Sequence, residues 1–456
     1  MPSTRYDFPI SSETVRRTTT AWLMLGLVSL VGAGLFSLLL VLSRTPVIQE
    51  VLPLIDFFRI ALVVHVDLSV LIWLLSMAGV LWALSTDRDL PGWDRVSFWL
   101  AASGTAVVII SPFIGAGDPL MNNYVPVLRH PAFYTGLGLF TAGVLSHLLR
   151  SAMTFTGLTT HLDGAGALQV GTKLAAVTAA VAIAAFIASL LSIPADMQGQ
   201  AYFEFLFWGG GHILQFTHTL LMMVVGVLLA SNSSCNISLT PRLMLTYFLL
   251  MTLPVITVPF LYLAHDVVSP GHRIAFTELM KYGGLSSIPL GLAVVASLWK
   301  AAKPEGEGRY LRSALLSSIV LFLVGGILGF MIAGLDIVIP AHYHGSTVAV
   351  TIAFMGLSYF LLPRLGFGNP PARLAFWQPI IYCGGQLLHI TGLAWSGGYG
   401  VQRKTAGLAQ GLDRFSEVAG MGLMGLGGLI SVIGGLLFLV VAYKAIRGGR
   451  GATSGA

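Results

Sequence analysis

Six of the chain's eleven histidines stand within or at the edge of apolar stretches: His65, His212, His265, His342, His344 and His389. Imidazole is the commonest protein ligand for metal ions and binds heme iron, copper and non-heme iron. Only 19 acidic residues accompany them, so ionisable side chains have been kept in a chain that otherwise avoids charge. The segment Ala341-His342-Tyr343-His344 is the most specific. Two residues on a helix turn through about 200°, so the two imidazoles point in nearly opposite directions. They are badly placed to share one metal, but each can hold one of two cofactors on either side of the helix. That arrangement implies two hemes. Cys235 and Cys383 are far apart, and there is neither a Cys-x-x-Cys-His for covalent heme nor a thiolate cluster for iron–sulfur.

Composition dictates the elements that must position these histidines. Of 456 residues, 55% are hydrophobic and 10% charged, with a mean hydropathy of +0.82. A soluble domain runs near ~25% charged, so a disordered chain, a nucleic-acid-binding domain and an ordinary cytosolic enzyme are excluded. The expected fold class is all-α, a polytopic bundle in a lipid membrane. A spanning helix needs about 20 mostly apolar residues. Twelve such segments are read, at about 20–43, 56–84, 95–117, 133–153, 171–194, 203–231, 241–267, 276–301, 310–334, 342–366, 373–397 and 417–446. Short connections carry breakers such as Pro91-Gly92, Pro270-Gly271 and Gly368-Asn369-Pro370-Pro371. No extramembrane domain interrupts the pattern. Residues 1–456 read as one membrane domain, with tails at 1–19 and 447–456 and twelve helices over about 20–446. The polar start, Met1 to Arg17, has no apolar stretch with a cleavage site and reads as a cytoplasmic tail.

The net charge of +6 is read as membrane topology rather than affinity for nucleic acid. With the N-terminus inside, roughly 17 of the 25 Lys and Arg fall in inner loops and tails. Both termini are then cytoplasmic, in the inner membrane of a bacterium or archaeon. Arg403 and Lys404 are outer exceptions. On this topology His65 and His212 sit at the same offset from the outer starts of the second and sixth spans. His265 closes the seventh, His342 and His344 open the tenth, and His389 lies in the outer half of the eleventh. A single intramembrane histidine is more often an interhelical hydrogen bond. Six on five helices at one depth argue for joint metal binding near the outer face.

These residues resemble the catalytic subunit of the heme–copper oxidases and their nitric oxide reductase relatives, over essentially the whole chain. By that resemblance His342 is the axial ligand of a high-spin, substrate-binding heme. His344 and His65 hold a low-spin heme from its two sides. A second, non-heme metal, iron or copper, faces the high-spin heme from the sixth and seventh spans. Phe207-Trp208-Gly209-Gly210-Gly211-His212 is similar to the family's approach to the first metal ligand. Tyr262-Leu263-Ala264-His265-Asp266 occupies the place of the family's His-His pair, so His212, His265 and Asp266 are the implied ligands. After His389-Ile390-Thr391-Gly392-Leu393-Ala394, Arg403 and Lys404 match the basic pair that faces heme propionates. His389 is read as supporting the site or simply packing.

The chain departs from the oxidase pattern in three places. After His212 it reads Ile213-Leu214-Gln215-Phe216, with phenylalanine where the common oxidase motif has its cross-linked tyrosine. Splitting dioxygen needs four electrons, of which the tyrosine normally supplies one, whereas coupling two nitric oxide molecules needs two. Asp266 adds a hard oxygen ligand, which suits iron better than an all-imidazole set does, although it could instead cap the turn Val267-Val268-Ser269-Pro270. The lysine of a familiar proton channel is replaced by Ala293, while Glu278 and Lys281 lie near the outer end of the same span. Glu204 and Glu278 are candidates for an outer proton path or plain interface residues. Tyr262 keeps the oxidase alternative open, since C-type oxidases draw their tyrosine from the seventh helix. Gln215, one turn from His212, is expected to face the same pocket.

The resulting expectation is a membrane oxidoreductase that reduces nitric oxide to nitrous oxide, with a terminal oxidase reducing dioxygen, with or without proton pumping, as the alternative. A transporter with a histidine proton relay is the rival of another class. The chain carries no electron-input motif, which implies a donor subunit of cytochrome c or cupredoxin type or a soluble donor. Gly420, Gly422, Gly425, Gly427 and Gly428 suggest close helix packing. His130, His147, His161, His218 and His272 are read as structural.

Overall fold

The computed structural model describes residues 5–44, 55–86, 88–115, 117–154, 162–332, 337–398 and 414–452. It falls into two compact units, Met1–Leu228 with Asn236–Trp299, and Leu229–Cys235 with Lys300–Ala456.

In the first unit, α1 (Glu13–Arg44) packs on α2 (Ile55–Val66) and α3 (Trp73–Leu84), which are joined by a six-residue π-helix, Asp67–Ile72. The π segment begins two residues after His65, and π-bulges inside helices recur at functional positions. The helices α4 (Pro91–Ile110) and α5 (Pro131–Met153) lie close along their length. A Cβ at Gly104 would collide with the Phe140 backbone and one at Gly143 with the Ala101 backbone, so only glycine permits that approach. Between them a short antiparallel hairpin pairs β1 (Pro119–Leu120) with β2 (Val127–Leu128). The unit continues through α6 (Gly164–Ser192) and α7 (Gly199–Ser231, as far as Leu228).

Its last two spans are broken. Pro254 is the second residue of a 3-10 stretch, Leu253–Thr257, between α8 (Pro241–Thr252) and α9 (Val258–Ala264). Gly284–Ser287 does the same between α10 (Pro270–Gly283) and α11 (Ile288–Trp299), just before Pro289. Proline lacks the N–H that an unbroken helix needs and clashes with the preceding turn. Helix starts are set by side chains: Thr240, Ser269 and Asp163 each cap the first turn that follows.

An ion pair locks α4 to α5 inside the apolar bundle. Arg150 meets Asp94 through Nε–Oδ1 at 2.8 Å and Nη2–Oδ2 at 3.0 Å, both side chains buried. His147 lies beside them, donates Nε2–H to the Gly79 carbonyl at 3.0 Å, and packs its ring 4.8 Å from Trp22.

The second unit holds α12 (Glu307–Phe330), α13 (Val338–Arg364), α14 (Ala372–Gly397) and α15 (Phe415–Ala452). Three glycines seven residues apart, Gly420, Gly427 and Gly434, meet α14 at Ser396, His389 and Tyr382. Gly422 and Gly425 have no neighbour within 4 Å. The close-packing stripe is therefore narrower than the run of glycines.

Eleven helical segments among the described residues are long and apolar enough to cross a membrane, one fewer than expected. The odd one out is α14, a 26-residue helix over the expected 373–397 segment. Its polar side chains lower its apolarity, and they are partnered inside the unit. Gln378 accepts from the Tyr359 hydroxyl at 2.9 Å and donates to the Gly434 carbonyl at 3.1 Å. His389 donates to the Met424 carbonyl at 3.0 Å. Partnered polar groups facing neighbouring helices are tolerated where lipid-facing ones are not.

Candidate heme and metal sites

In the second unit, His342 and His344 turn to different helices, as a two-residue step on a helix requires. His342 donates Nδ1–H to the Gly325 carbonyl of α12 at 2.7 Å and lies against Gly329, whose Cβ would sit 2.7 Å from Nδ1. His344 packs edge-on against His389 of α14, ring centroids 4.9 Å apart. Both histidines of α13 are half-buried.

In the first unit, His65 near the end of α2 donates Nδ1–H to the Ala33 carbonyl of α1 at 2.9 Å. Two residues on, Asp67 is 1% exposed and neither carboxyl oxygen has a hydrogen-bond partner among the described residues. A buried carboxyl in an apolar span is rare and costly. Sequence reading passed over Asp67; a lone carboxylate two residues from a candidate ligand was the available signal.

His212, on α7, is 5% exposed. Its Nδ1–H faces the Trp208 carbonyl at 2.7 Å and also the hydroxyl of Tyr124 at 2.9 Å. Gln215 donates Nε2–H to the same hydroxyl at 3.0 Å, so it shares that partner with His212. Tyr124 stands in the turn between β1 and β2, and its ring fills the place where a Cβ on Gly211 would be. Burial, with the negative charge of Glu204 next, raises this phenol well above the usual tyrosine range, so it keeps its proton. The whole hairpin follows one stripe of α7. Gln200 donates to the Met121 carbonyl at 3.2 Å, and the Glu204 carboxylate accepts from the Asn123 backbone N–H at 3.0 Å and from its side-chain amide. Trp208 meets the Tyr124 ring edge-on at 6.0 Å. Residues 200, 204, 208, 211–212 and 215 share one face because the helix repeats every 3.6 residues. Tyr124 was not found from sequence, and Glu204 anchors this hairpin.

The other expected site residues lie on and just after α9. Tyr262 on α9 donates its hydroxyl proton to the Ala185 carbonyl at 2.7 Å and shares a 2.8 Å contact with Ser189, both on α6. His265 follows α9 in extended backbone, with its ring against Gly271. Asp266 is exposed, and its carbonyl accepts from the Ser269 N–H at 2.9 Å in the turn that follows. Among the described residues no three His, Cys, Asp or Glu side chains lie close enough to hold a metal ion. His272 is fully buried with neither ring nitrogen bonded, and packs against Tyr262 and Phe276. Of the other histidines read as structural, His130 caps α5, His147 binds Gly79, His218 is half-buried with Nε2 unbonded among the described residues, and His161 lies outside the described residues. Glu278 is exposed on α10. Arg403 and Lys404 lie outside the described residues.

Residues 17–437 match the family model described as Cytochrome C and Quinol oxidase polypeptide I. The chain belongs to this family. An uncharacterized protein of Rickettsia prowazekii (strain Madrid E) is 30% identical, over 93% of this chain and 95% of its own. Cytochrome c oxidase subunit 1 of Thermus thermophilus is 24% identical over 94% of this chain and 84% of its own. A heme–copper terminal oxidase solved by cryo-electron microscopy as a dimer shares the fold. Its TM-score is 0.74 at 18% identity, covering 95% of this chain and 84% of that one. The chain is thus an integral membrane oxidoreductase subunit of the heme–copper oxidase family, whose members bind hemes and a further metal.

The histidines of this family member fit such groups in one respect that can be read directly. A carbonyl only accepts, so His65, His212 and His342 each carry a proton on Nδ1, and none has a protein hydrogen bond at Nε2 among the described residues. Pinning one ring nitrogen to present the other is how metal-ligating histidines are held. His147 does the reverse and binds a carbonyl through Nε2. The fit is good for axial heme ligands at His65 and His342. For the second metal it holds at His212 alone, since His265 and Asp266 do not close a donor group with it.

Proposed function

We propose that this chain reduces nitric oxide to nitrous oxide, with His342 as the axial ligand of the substrate-binding heme and His65 and His344 as ligands of the electron-accepting heme. The observation that carries the reading is the fate of the two positions from which the family draws its tyrosine. Phe216 has no hydroxyl, and the Tyr262 hydroxyl is bound to Ala185 and Ser189 of α6. Coupling two nitric oxide molecules consumes two electrons and two protons and releases nitrous oxide and water, so it does without a tyrosine as electron source. When bound, the hemes and a second metal would supply the redox chemistry; the protein positions and tunes them.

The residues' own contributions follow. His342 is oriented by Gly325, His65 by Ala33 and His212 by Trp208. His265 and Asp266 remain the companions implied for His212 by resemblance, and Arg403 and Lys404 the partners of heme propionates. Electrons come from a donor subunit or soluble donor of cytochrome c or cupredoxin type. Both termini are cytoplasmic and the site lies towards the outer face, on the distribution of Lys and Arg.

One observation favours the second reading, a terminal oxidase: the Tyr124 hydroxyl lies 2.9 Å from His212, which provides a phenol from a third element. Anaerobic turnover of the purified protein with nitric oxide, set against turnover with dioxygen and paired with iron and copper counts, tests the proposal. Nitric oxide consumption with iron at the second site supports it. Rapid dioxygen turnover with copper there and no nitric oxide consumption overturns it.

A further inference from the structure

We infer that the cleft where α12 and α14 begin binds the headgroup of a singly anionic membrane phospholipid, of the phosphatidylglycerol class. The cleft belongs to the second unit alone and is open, with a volume of about 530 Å³. Lys303, Pro304, Glu305, Gly306, Arg309 and Phe376 line it. Its three charged side chains are exposed and form no ion pair among the described residues. Two cations against one carboxylate leave the cleft one positive charge, which the single negative charge of a phosphodiester balances. The neighbouring charges are already committed. Glu307 pairs with Arg364 at 3.4 Å, and Arg312 donates to the Ala302 carbonyl at 2.7 Å and to that of Ser233. These Arg312 bonds also brace the loop that carries Lys303. The Ser313 hydroxyl donates to the Phe376 carbonyl at 2.7 Å and ties α12 to α14 beside the cleft. The Arg309 guanidinium lies 5.5 Å over the Phe376 ring. One of its faces is held there, and its N–H edge is left for phosphate oxygens.

The surface beyond the cleft points to a lipid rather than a free phosphate. Counting from Arg309 by helical repeats reaches Leu316, Val320, Leu323 and Ile327, all exposed. The cation thus stands at the head of one apolar stripe of α12, along which acyl chains can lie. On α14, Trp377 and Ile380 are exposed as well, and Trp377 meets Phe376 edge-on at 5.3 Å. Exposed tryptophan near a helix end marks the depth of lipid headgroups. α12 and α14 begin on the same membrane face because α13 runs back between them. On the distribution of Lys and Arg this is the cytoplasmic face, where basic pockets between spans take anionic headgroups. A phospholipid satisfies both the charged cleft and the apolar stripe; a free anion satisfies only the first.

The purified full-length protein, delipidated in detergent, is titrated with phosphatidylglycerol and with phosphatidylcholine of the same acyl chains. Binding is counted by native mass spectrometry, with and without inorganic phosphate. Phosphatidylglycerol should bind saturably and more tightly than phosphatidylcholine, and an equal concentration of inorganic phosphate should not displace it. Lys303→Gln and Arg309→Gln should each weaken phosphatidylglycerol roughly 5-fold, the worth of one basic residue near an anionic surface. Glu305→Gln should strengthen it by a similar factor. A gain at Glu305 beside losses at its neighbours is a pattern that misfolding does not produce. Equal affinity for the two lipids overturns the inference. So does displacement by inorganic phosphate, which would make this a free-anion site, and so does unchanged phosphatidylglycerol affinity in Lys303→Gln and Arg309→Gln.

Discussion

His342 donates its Nδ1–H to the carbonyl oxygen of Gly325 at 2.7 Å, across the contact between α13 and α12. This bond fixes which nitrogen is left for a ligand, and it predicts separable losses. On the proposed ligation, His342→Ala should remove the high-spin heme and leave the low-spin heme in place. His65→Ala should do the converse and convert the low-spin signal to high-spin. Optical and paramagnetic resonance spectra of the purified variants check both, and an unchanged spectrum in either removes that residue from the ligand set.

Tyr262 spends its hydroxyl on Ala185 and Ser189. Tyr262→Phe should therefore cost about 1 kcal/mol of stability, the usual net worth of one hydrogen bond, and leave nitric oxide turnover within a few-fold of the parent. Loss of turnover with thermal stability intact would assign the phenol to the chemistry and favour the dioxygen reading.

The Arg150–Asp94 pair is buried, so removing one partner strands the other's charge. Arg150→Met should destabilise the protein by about 3–5 kcal/mol, and the double variant with Asp94→Leu should recover most of that loss. Thermal unfolding in detergent reads the difference. Equal destabilisation of the single and double variants would mean that the two side chains are not coupled.

Among the described residues Asp67 has no hydrogen-bond partner, and both its oxygens are buried. Asp67→Leu should leave stability unchanged or raise it by about 1–3 kcal/mol, since an unsatisfied buried polar group is removed. A fall in heme content in that variant would show instead that the carboxyl serves the cofactor beside His65.

Elements held together by neighbours in sequence were legible before any coordinates. Apolar runs of spanning length located the helices, and the two-residue step from His342 to His344 sent their rings to different helices. The same local logic overreached at α14, where length and periodicity were right but Gln378 and His389 take partners on α13 and α15 in place of apolarity. It also failed to narrow the glycine run of α15, because Gly420, Gly427 and Gly428 turn towards α14 while Gly422 and Gly425 do not. What the tertiary structure alone decided is who meets whom across long stretches of chain. Tyr124 and His212 are 88 positions apart, and Tyr262 and Ala185 are 77 apart. Periodicity fixes which face of a helix a residue occupies, through bonds only three or four residues long. It carries no information about which distant loop will be folded against that face.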